Sequence, residues 1–233
     1  MSISLTVDGI PVTVEEGATV AEAATAAGVY VPTLCFHDDH PPLGTCRVCT
    51  ARVDGRLVAA CTTVAPDGAV VEVATEEVAA LRRQVVGLLF AEGNHVCPSC
   101  EKSGRCDLQA VAAETGMLAS EFPYRYPRRE TDPGDARLWL ARDRCILCQR
   151  CVELVRDDAG QPVFTLSGRG PGARVELDHE RADGLSEEQV DAAVDLCPVG
   201  AILRKGVGYD DPMGARRYDT ASIRERALRG EPR

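Results

Sequence analysis

Apolar and polar residues alternate from Ile3 to Val7 and again from Ile10 to Val14, with Asp8-Gly9 between the two runs. A period of two on both sides of an Asp-Gly pair predicts a β-hairpin. Glu15-Glu16-Gly17 breaks the alternation. Thr19 with Glu22 three residues later then carries a capping-box signature for a short Ala-rich helix ending near Gly28. Val48 to Val53, the Asp54-Gly55 turn and Leu57 to Ala60 predict a second hairpin, and Ala69 to Val73 a closing strand.

The period changes after Thr75. Val78, Leu81, Val85, Leu88 and Leu89 fall on one helical face between Thr75 and Glu92, and Gly93-Asn94 ends the run. Asp107 to Thr115 predicts another helix. Pro123-Tyr124-Arg125-Tyr126-Pro127 and the residues on to Gly134 have neither period and read as a linker. Beyond it come a short strand at Leu138-Trp139-Leu140, a hairpin from Val163 to Leu177 through Gly168-Arg169-Gly170-Pro171-Gly172, and a helix from Ser186 to Leu196. The pattern is α+β, divided into residues 1–76, 77–122, a linker at 123–137, 138–205 and an extended arm at 206–233. Hairpin, helix, loop and strands in that order give the first unit the pattern of a β-grasp ferredoxin domain. The second is a small helical unit, and the third is ferredoxin-like.

Aromatic residues make up 4 % of a chain that is 45 % hydrophobic, which suits small modules held partly by something other than large cores. A net charge of −10 argues against a general nucleic-acid binder. The first residues lack a basic region followed by an apolar one, so no secretory signal is expected. No apolar run approaches the roughly 18 residues of a membrane span; the expected location is cytoplasmic. The arm from Arg204 to Arg233 reverses the charge balance, with eight basic and five acidic residues, and reads either as a disordered end or as a docking arm.

The eleven cysteines decide the chemistry. In a reducing compartment, clustered thiols bind metal more often than they form disulfides. Cys35, Cys46, Cys49 and Cys61 form a first set, in and beside the loops of the first unit. Four thiolates wrapped by a loop suit a [2Fe–2S] cluster. The spacing departs from the plant-type pattern and leaves zinc open on composition, but zinc sites usually pair two short knuckles and here Cys46 and Cys49 are the one close pair. His37 and His40 nearby read as solvated loop residues, since four thiolates complete the set.

Cys97, Cys100 and Cys106 form a second set, one thiolate short of four, beside His95. An imidazole can close a [4Fe–4S] cubane and makes it less negative than four thiolates would. Asn94, Asp107 or water are poorer donors for iron. Cys145, Cys148 and Cys151 form a C-x2-C-x2-C triad, diagnostic of a second [4Fe–4S] cluster. The next Cys-Pro is Cys197-Pro198, and with no second triad to complete, Cys197 returns to the same cluster on the helix Ser186 to Leu196. No nucleophile–base pair, phosphate loop or dinucleotide fingerprint stands out. The Gly168 to Gly172 loop lacks the strand and helix context of a nucleotide site.

The order of these sets resembles the N-terminal half of the large iron–sulfur subunit of respiratory complex I; [FeFe] hydrogenases share the first two. Glu92-Gly93-Asn94-His95 through Gln109, Asp143-Arg144-Cys145-Ile146-Leu147-Cys148, and Val207-Gly208-Tyr209 to Tyr218-Asp219 more closely resemble the diaphorase iron–sulfur subunits of NAD-reducing soluble [NiFe] hydrogenases. The complex I type has three residues between its histidine and first cysteine, whereas here Val96 alone separates His95 from Cys97. The resemblance implies a non-catalytic relay subunit of a hydrogen dehydrogenase. Its implied partners are a flavin- and NADH-binding diaphorase subunit and the small and large hydrogenase subunits, which would carry FMN, NAD and the nickel–iron site. The alternative is a relay in another NADH-linked enzyme, such as a formate dehydrogenase, an electron-bifurcating [FeFe] hydrogenase or a complex I-like dehydrogenase. A zinc-bound scaffold is the non-redox reading.

Overall fold

The computed structural model describes residues 1–134 and 136–231. Strands β1 (Ser2–Val7) and β2 (Ile10–Glu15) pair antiparallel across Asp8 and Gly9, both at positive φ (48° and 79°), the handedness a two-residue hairpin requires. The capping box between Thr19 and Glu22 opens α1 (Val20–Ala26). Strands β3 (Thr50–Val53), β4 (Arg56–Ala59) and β5 (Val70–Glu72) complete a five-stranded sheet of order β2-β1-β5-β3-β4, with β5 parallel to β1 and antiparallel to β3. Leu5, Val7, Val20, Ala23, Val71 and Val73 fill its core. Asp8 Oδ1 locks the sheet's exit by accepting from Val73 N at 2.7 Å.

Helix α2 (Glu76–Ala91) leaves this unit, but its buried face differs from the predicted one. The buried row is Val78, Arg82, Val86 and Phe90, while Leu88 is 46 % exposed. Leu81, Val85 and Leu89 sit at the margin, half-buried. Arg82 belongs inside because the sheet presents carbonyls there: Nε donates to Thr50 O at 3.0 Å and Nη1 to Val73 O at 2.9 Å. A hydrophobic period cannot count an arginine, and the predicted stripe was therefore rotated.

Helix α3 (Asp107–Glu114) follows the second cysteine set and buries Leu108, Val111 and Ala112. The predicted linker has little regular structure but is packed rather than free. Arg125 N bonds Ala91 O at 2.9 Å, Asn94 Nδ2 bonds Pro127 O at 2.9 Å, and Asp132 pairs with Leu140 in both directions.

In the third unit β6 (Leu138–Leu140) pairs with β9 (Ile202–Arg204), and β7 (Phe164–Ser167) with β8 (Arg174–Leu177). Helices α4 (Arg150–Leu154), α5 (His179–Asp183) and α6 (Glu187–Leu196) surround them, and a Ser186–Gln189 capping box opens α6. The β6–β9 pairing lays the triad beside Cys197. One continuous apolar cluster runs from Val86, Phe90, Leu108 and Val111 through Leu138, Leu140, Phe164 and Val190, and takes in Leu34 and Val48 of the first unit. The second and third units thus share a core.

The arm has no regular structure at Val207 to Asp210, then turns and ends in α7 (Ile223–Leu228), a helix the sequence pattern did not predict. Ile223 is buried in the shared core, and Arg224 pairs with Glu114 of α3 at 3.3 Å. Among the described residues no helix is long and apolar enough to cross a membrane.

Candidate metal centres

Among the described residues no three or more His, Cys, Asp or Glu side chains are arranged to hold a single metal ion. A cluster is a body of several atoms, so the cysteine sets are judged here by convergence, burial and the state of their sulfurs.

The first set gathers around the loop before β3. Arg47 at φ 58° reverses the backbone between Cys46 and Cys49, and Thr50 N bonds Arg47 O at 3.2 Å. Cys61 follows β4, and its Sγ lies 3.3 Å from Cys49 Sγ. All four cysteines are buried. Hydrogen bonds from the Cys46 and Cys61 thiols pull Cys35 far below the usual thiol range, and Cys46 is pushed up by its bond to Cys35. The Cys61 hydrogen bond brings Cys49 down to about 7. Cys35, Cys46, Cys49 and Cys61 thus act on one another through hydrogen bonds and charge, as a cradle of four coupled sulfurs.

The second set opens on a 3-10 turn at Cys97–Ser99, continues through Cys100, and closes at Cys106, where Cys106 Sγ caps α3 by accepting from Gln109 N at 3.4 Å. Gly104 at φ 80° makes the reversal, and Gln109 Oε1 accepts its N–H at 2.9 Å. The charges of Cys97, Cys100 and Cys106 act on one another, and burial pushes Cys97 and Cys106 above the ordinary thiol range. The His95 ring stands 5.3 Å from the Phe90 ring, and its Nε2 is buried without a hydrogen-bond partner. A Cβ at Gly93 would collide with that ring, which accounts for the glycine. Burial first, and Arg144 second, lower His95 to about 4, so the imidazole is neutral at neutral pH. Its recorded contact with the set is through the backbone: Cys97 Sγ donates to His95 O at 3.8 Å. Of the other candidate donors, Asn94 is held through Nδ2 by Pro127 O and Asp143, and both Asp107 carboxylate oxygens are engaged, by Arg150 and Tyr218.

The third set winds through two left-handed residues, Leu147 at φ 54° and Gln149 at φ 65°. Leu147 N donates to Cys145 Sγ at 3.4 Å, Cys151 opens into α4, and Cys197 caps the end of α6. Cys145, Cys148, Cys151 and Cys197 line a single cavity with Leu140, Ile146 and Arg150. Burial raises Cys145 to about 11 and pushes Cys148 and Cys151 higher still. Residues from distant sequence thus converge on a thiol-lined apolar cavity, which fits a thiolate-ligated cluster.

Several charged residues at these sites carried no sequence signal. Arg144 Nη1 reaches from beside the third set to Cys100 Sγ at 3.9 Å and to Glu101 Oε2 at 2.8 Å. Lys102, buried, bonds Val194 O at 2.7 Å near the end of α6. His40 corrects the expectation of a solvated loop: its Nε2 is 3.2 Å from Glu153 Oε2 on α4, because the 37–40 loop packs against the third unit. His37 also bonds, accepting from Asp39 N at 3.3 Å. The third set therefore has polar contacts toward both others.

Three family models match successive parts of the chain. Residues 1–76 match the family described as 2Fe-2S iron-sulfur cluster binding domain, residues 82–121 the NADH-ubiquinone oxidoreductase-G iron-sulfur binding region, and residues 137–203 the ferredoxin-like domain of NADH-quinone oxidoreductase subunit 3. The chain is 55 % identical over 232 residues to the NAD-reducing hydrogenase HoxS subunit gamma of Cupriavidus necator, covering 99 % of each. It is 32 % identical to the mitochondrial NADH-ubiquinone oxidoreductase 78 kDa subunit of Candida albicans, over 95 % of this chain and 31 % of that one. Its fold matches a chain in the crystal structure of an NAD+-reducing [NiFe]-hydrogenase in the H2-reduced state, with TM-score 0.84, 40 % identity and 93 % of each chain covered. The chain belongs to the family of NAD-reducing hydrogenase gamma subunits.

Proposed function

We propose that this chain is the electron-relay subunit of a hydrogenase that interconverts H2 plus NAD+ with NADH plus H+. It would stand between a [NiFe] hydrogenase module of small and large subunits and a flavin-bearing diaphorase subunit, with nickel–iron, FMN and NAD on those partners. The assigned ligands are Cys35, Cys46, Cys49 and Cys61 for one [2Fe–2S] cluster; His95, Cys97, Cys100 and Cys106 for one [4Fe–4S] cluster; and Cys145, Cys148, Cys151 and Cys197 for a second. When bound, the clusters supply one-electron storage between two two-electron chemistries. The working divisions are those read from the sequence: 1–76, 77–122, 138–205 and the arm after 205.

The protein's own residues hold the three sets in one packed body and determine their charge environment. The observation that carries this reading is the third set's position, with Arg144 reaching Cys100 on one side and Glu153 of α4 reaching His40 on the other. A scaffold of independent metal knuckles would have no need of such contacts. The neutral, buried and unpartnered Nε2 of His95 supports it as the donor that completes the second set.

The test is anaerobic affinity purification of the chain from its host, with assays for hydrogen-dependent NAD+ reduction, nickel and flavin. Activity with both present supports the hydrogenase relay. NADH–dye activity without nickel or hydrogen uptake would assign the chain to another NADH-linked enzyme.

A further inference from the structure

Arg150 lies between Cys148 and Cys151, is 3 % exposed, and lines the cavity of the third set. One of its three nitrogens is engaged: Nη1 donates to Asp107 Oδ2 at 3.3 Å and to Leu196 O at 3.4 Å. Nε and Nη2 are buried with no hydrogen-bond partner among the described residues. A guanidinium cannot shed its charge, and buried donors of a charged group are costly without acceptors. Apart from Arg150 itself and Gln149, the side chains around this cavity are sulfur and hydrocarbon: the four cysteines with Leu140, Ile146, Val175, Val199 and Ile202. The Gln149 amide does not accept from Nε or Nη2, which leaves what the cysteines hold as the source of the missing acceptors. A thiolate-ligated iron–sulfur cluster brings inorganic sulfides and anionic thiolates, all hydrogen-bond acceptors.

We infer that Arg150 is a positioning residue for the third set's cluster, its free N–H groups donating to cluster sulfur and its charge raising the cluster's potential, while Asp107 anchors its opposite edge and ties it to the second set. This rests on the reading that the third set holds an iron–sulfur cluster. Asp107 follows Cys106 directly, and its own N–H bonds Pro198 O, one residue after Cys197, at 2.9 Å. One buried ion pair thus places its cation at one cubane site and its anion at the other. Removal of the cation affects both: the third loses a positive neighbour, and the second faces an uncompensated carboxylate.

The experiment is a redox titration followed by electron paramagnetic resonance on the purified complex, with signals assigned through Cys148→Ser and Cys100→Ser. Arg150→Met should move the third-set signal to more negative potential and drag the second-set signal the same way. Adding Asp107→Asn should return the second-set signal and leave the third displaced. Arg150→Lys, which keeps the charge, should lie nearer the parent than Arg150→Met does. An Arg150→Met complex with full iron and sulfide and parental potentials would overturn the inference. Should that variant fail to assemble, the parent labelled with 15N-guanidino arginine decides. Pulsed spectra of the reduced third cluster should show a nitrogen coupling that Arg150→Lys removes, and no coupling in the parent would refute the assignment. Failure of the underlying reading is separable, because Cys148→Ser would then leave iron content unchanged.

Discussion

Tyr218 donates its hydroxyl proton to Asp107 Oδ1 at 2.6 Å, joining the C-terminal arm to the residue that follows Cys106. The arm is fixed at further points: Tyr218 N bonds Gly104 O at 2.9 Å, and Arg216 Nη1 bonds Ser103 O at 3.4 Å. A Cβ at Gly104 would collide with Arg216, so the glycine that lets the cysteine loop turn also seats the arm. The arm's second half therefore closes over the second set.

Tyr218→Phe removes a hydrogen bond to a charged acceptor, worth about 1.5–3 kcal/mol when well formed. Limited proteolysis should cut the arm faster in the variant, and the denaturation midpoint should fall. Unchanged cleavage would show that the arm is held by other contacts, with Ile223 and Arg216 the next to test.

Gly200, three residues after Cys197, packs against Cys100 of the second set. A Cβ there would stand 2.8 Å from Cys100 Sγ, 3.3 Å from Lys102 Cβ and 3.6 Å from Arg144 Nη1. Gly200→Ala should cost about 1–3 kcal/mol by overpacking and perturb the second-set resonance. A parental spectrum with parental stability would mean that the backbone at Gly200 yields freely.

Cys46→Ser should remove the [2Fe–2S] signal and spare both cubane signals, since Cys46 belongs to the cradle of Cys35, Cys49 and Cys61. Spectra recorded at temperatures that separate the two cluster types provide the check. Loss of all three signals would instead mark Cys46 as essential to the whole fold.

His95 yields a prediction with a definite sign. Burial lowers its folded value from 6.5 to about 4, so folding favours the neutral ring. Its contribution to stability is complete above 6.5 and is lost as pH falls through about 4. In the chain stripped of clusters, the His95 ring should therefore stay neutral from neutral pH through 6.5, where an ordinary exposed histidine would already be taking a proton, and become protonated only on approach to about 4, as an NMR titration of the ring would read. His95→Ala should shift or abolish the second-set signal at every pH. An unaltered resonance in His95→Ala would remove His95 from the ligand set.

What was legible in the sequence was local. The Thr19–Glu22 cap, the helix from Ser186 to Leu196 and the Asp-Gly turns each act within a few residues, and the structure contains the corresponding elements. Contacts formed across the fold were not legible. Arg82 reads as a break in the α2 stripe because the carbonyls it bonds are Thr50 and Val73, on other elements. The bond from Tyr218 to Asp107 and the contact from His40 to Glu153 join residues that no periodicity relates. The short helices α5 and α7 carry too few apolar positions to establish a period, and α7 becomes visible once Ile223 is seen buried.

The most direct test of the central claim is a count of iron and acid-labile sulfide in the anaerobically purified chain. One [2Fe–2S] and two [4Fe–4S] clusters predict about ten of each per chain, in a brown protein absorbing in the visible iron–sulfur bands. A colourless protein holding zinc, or iron without equivalent sulfide, would contradict the account.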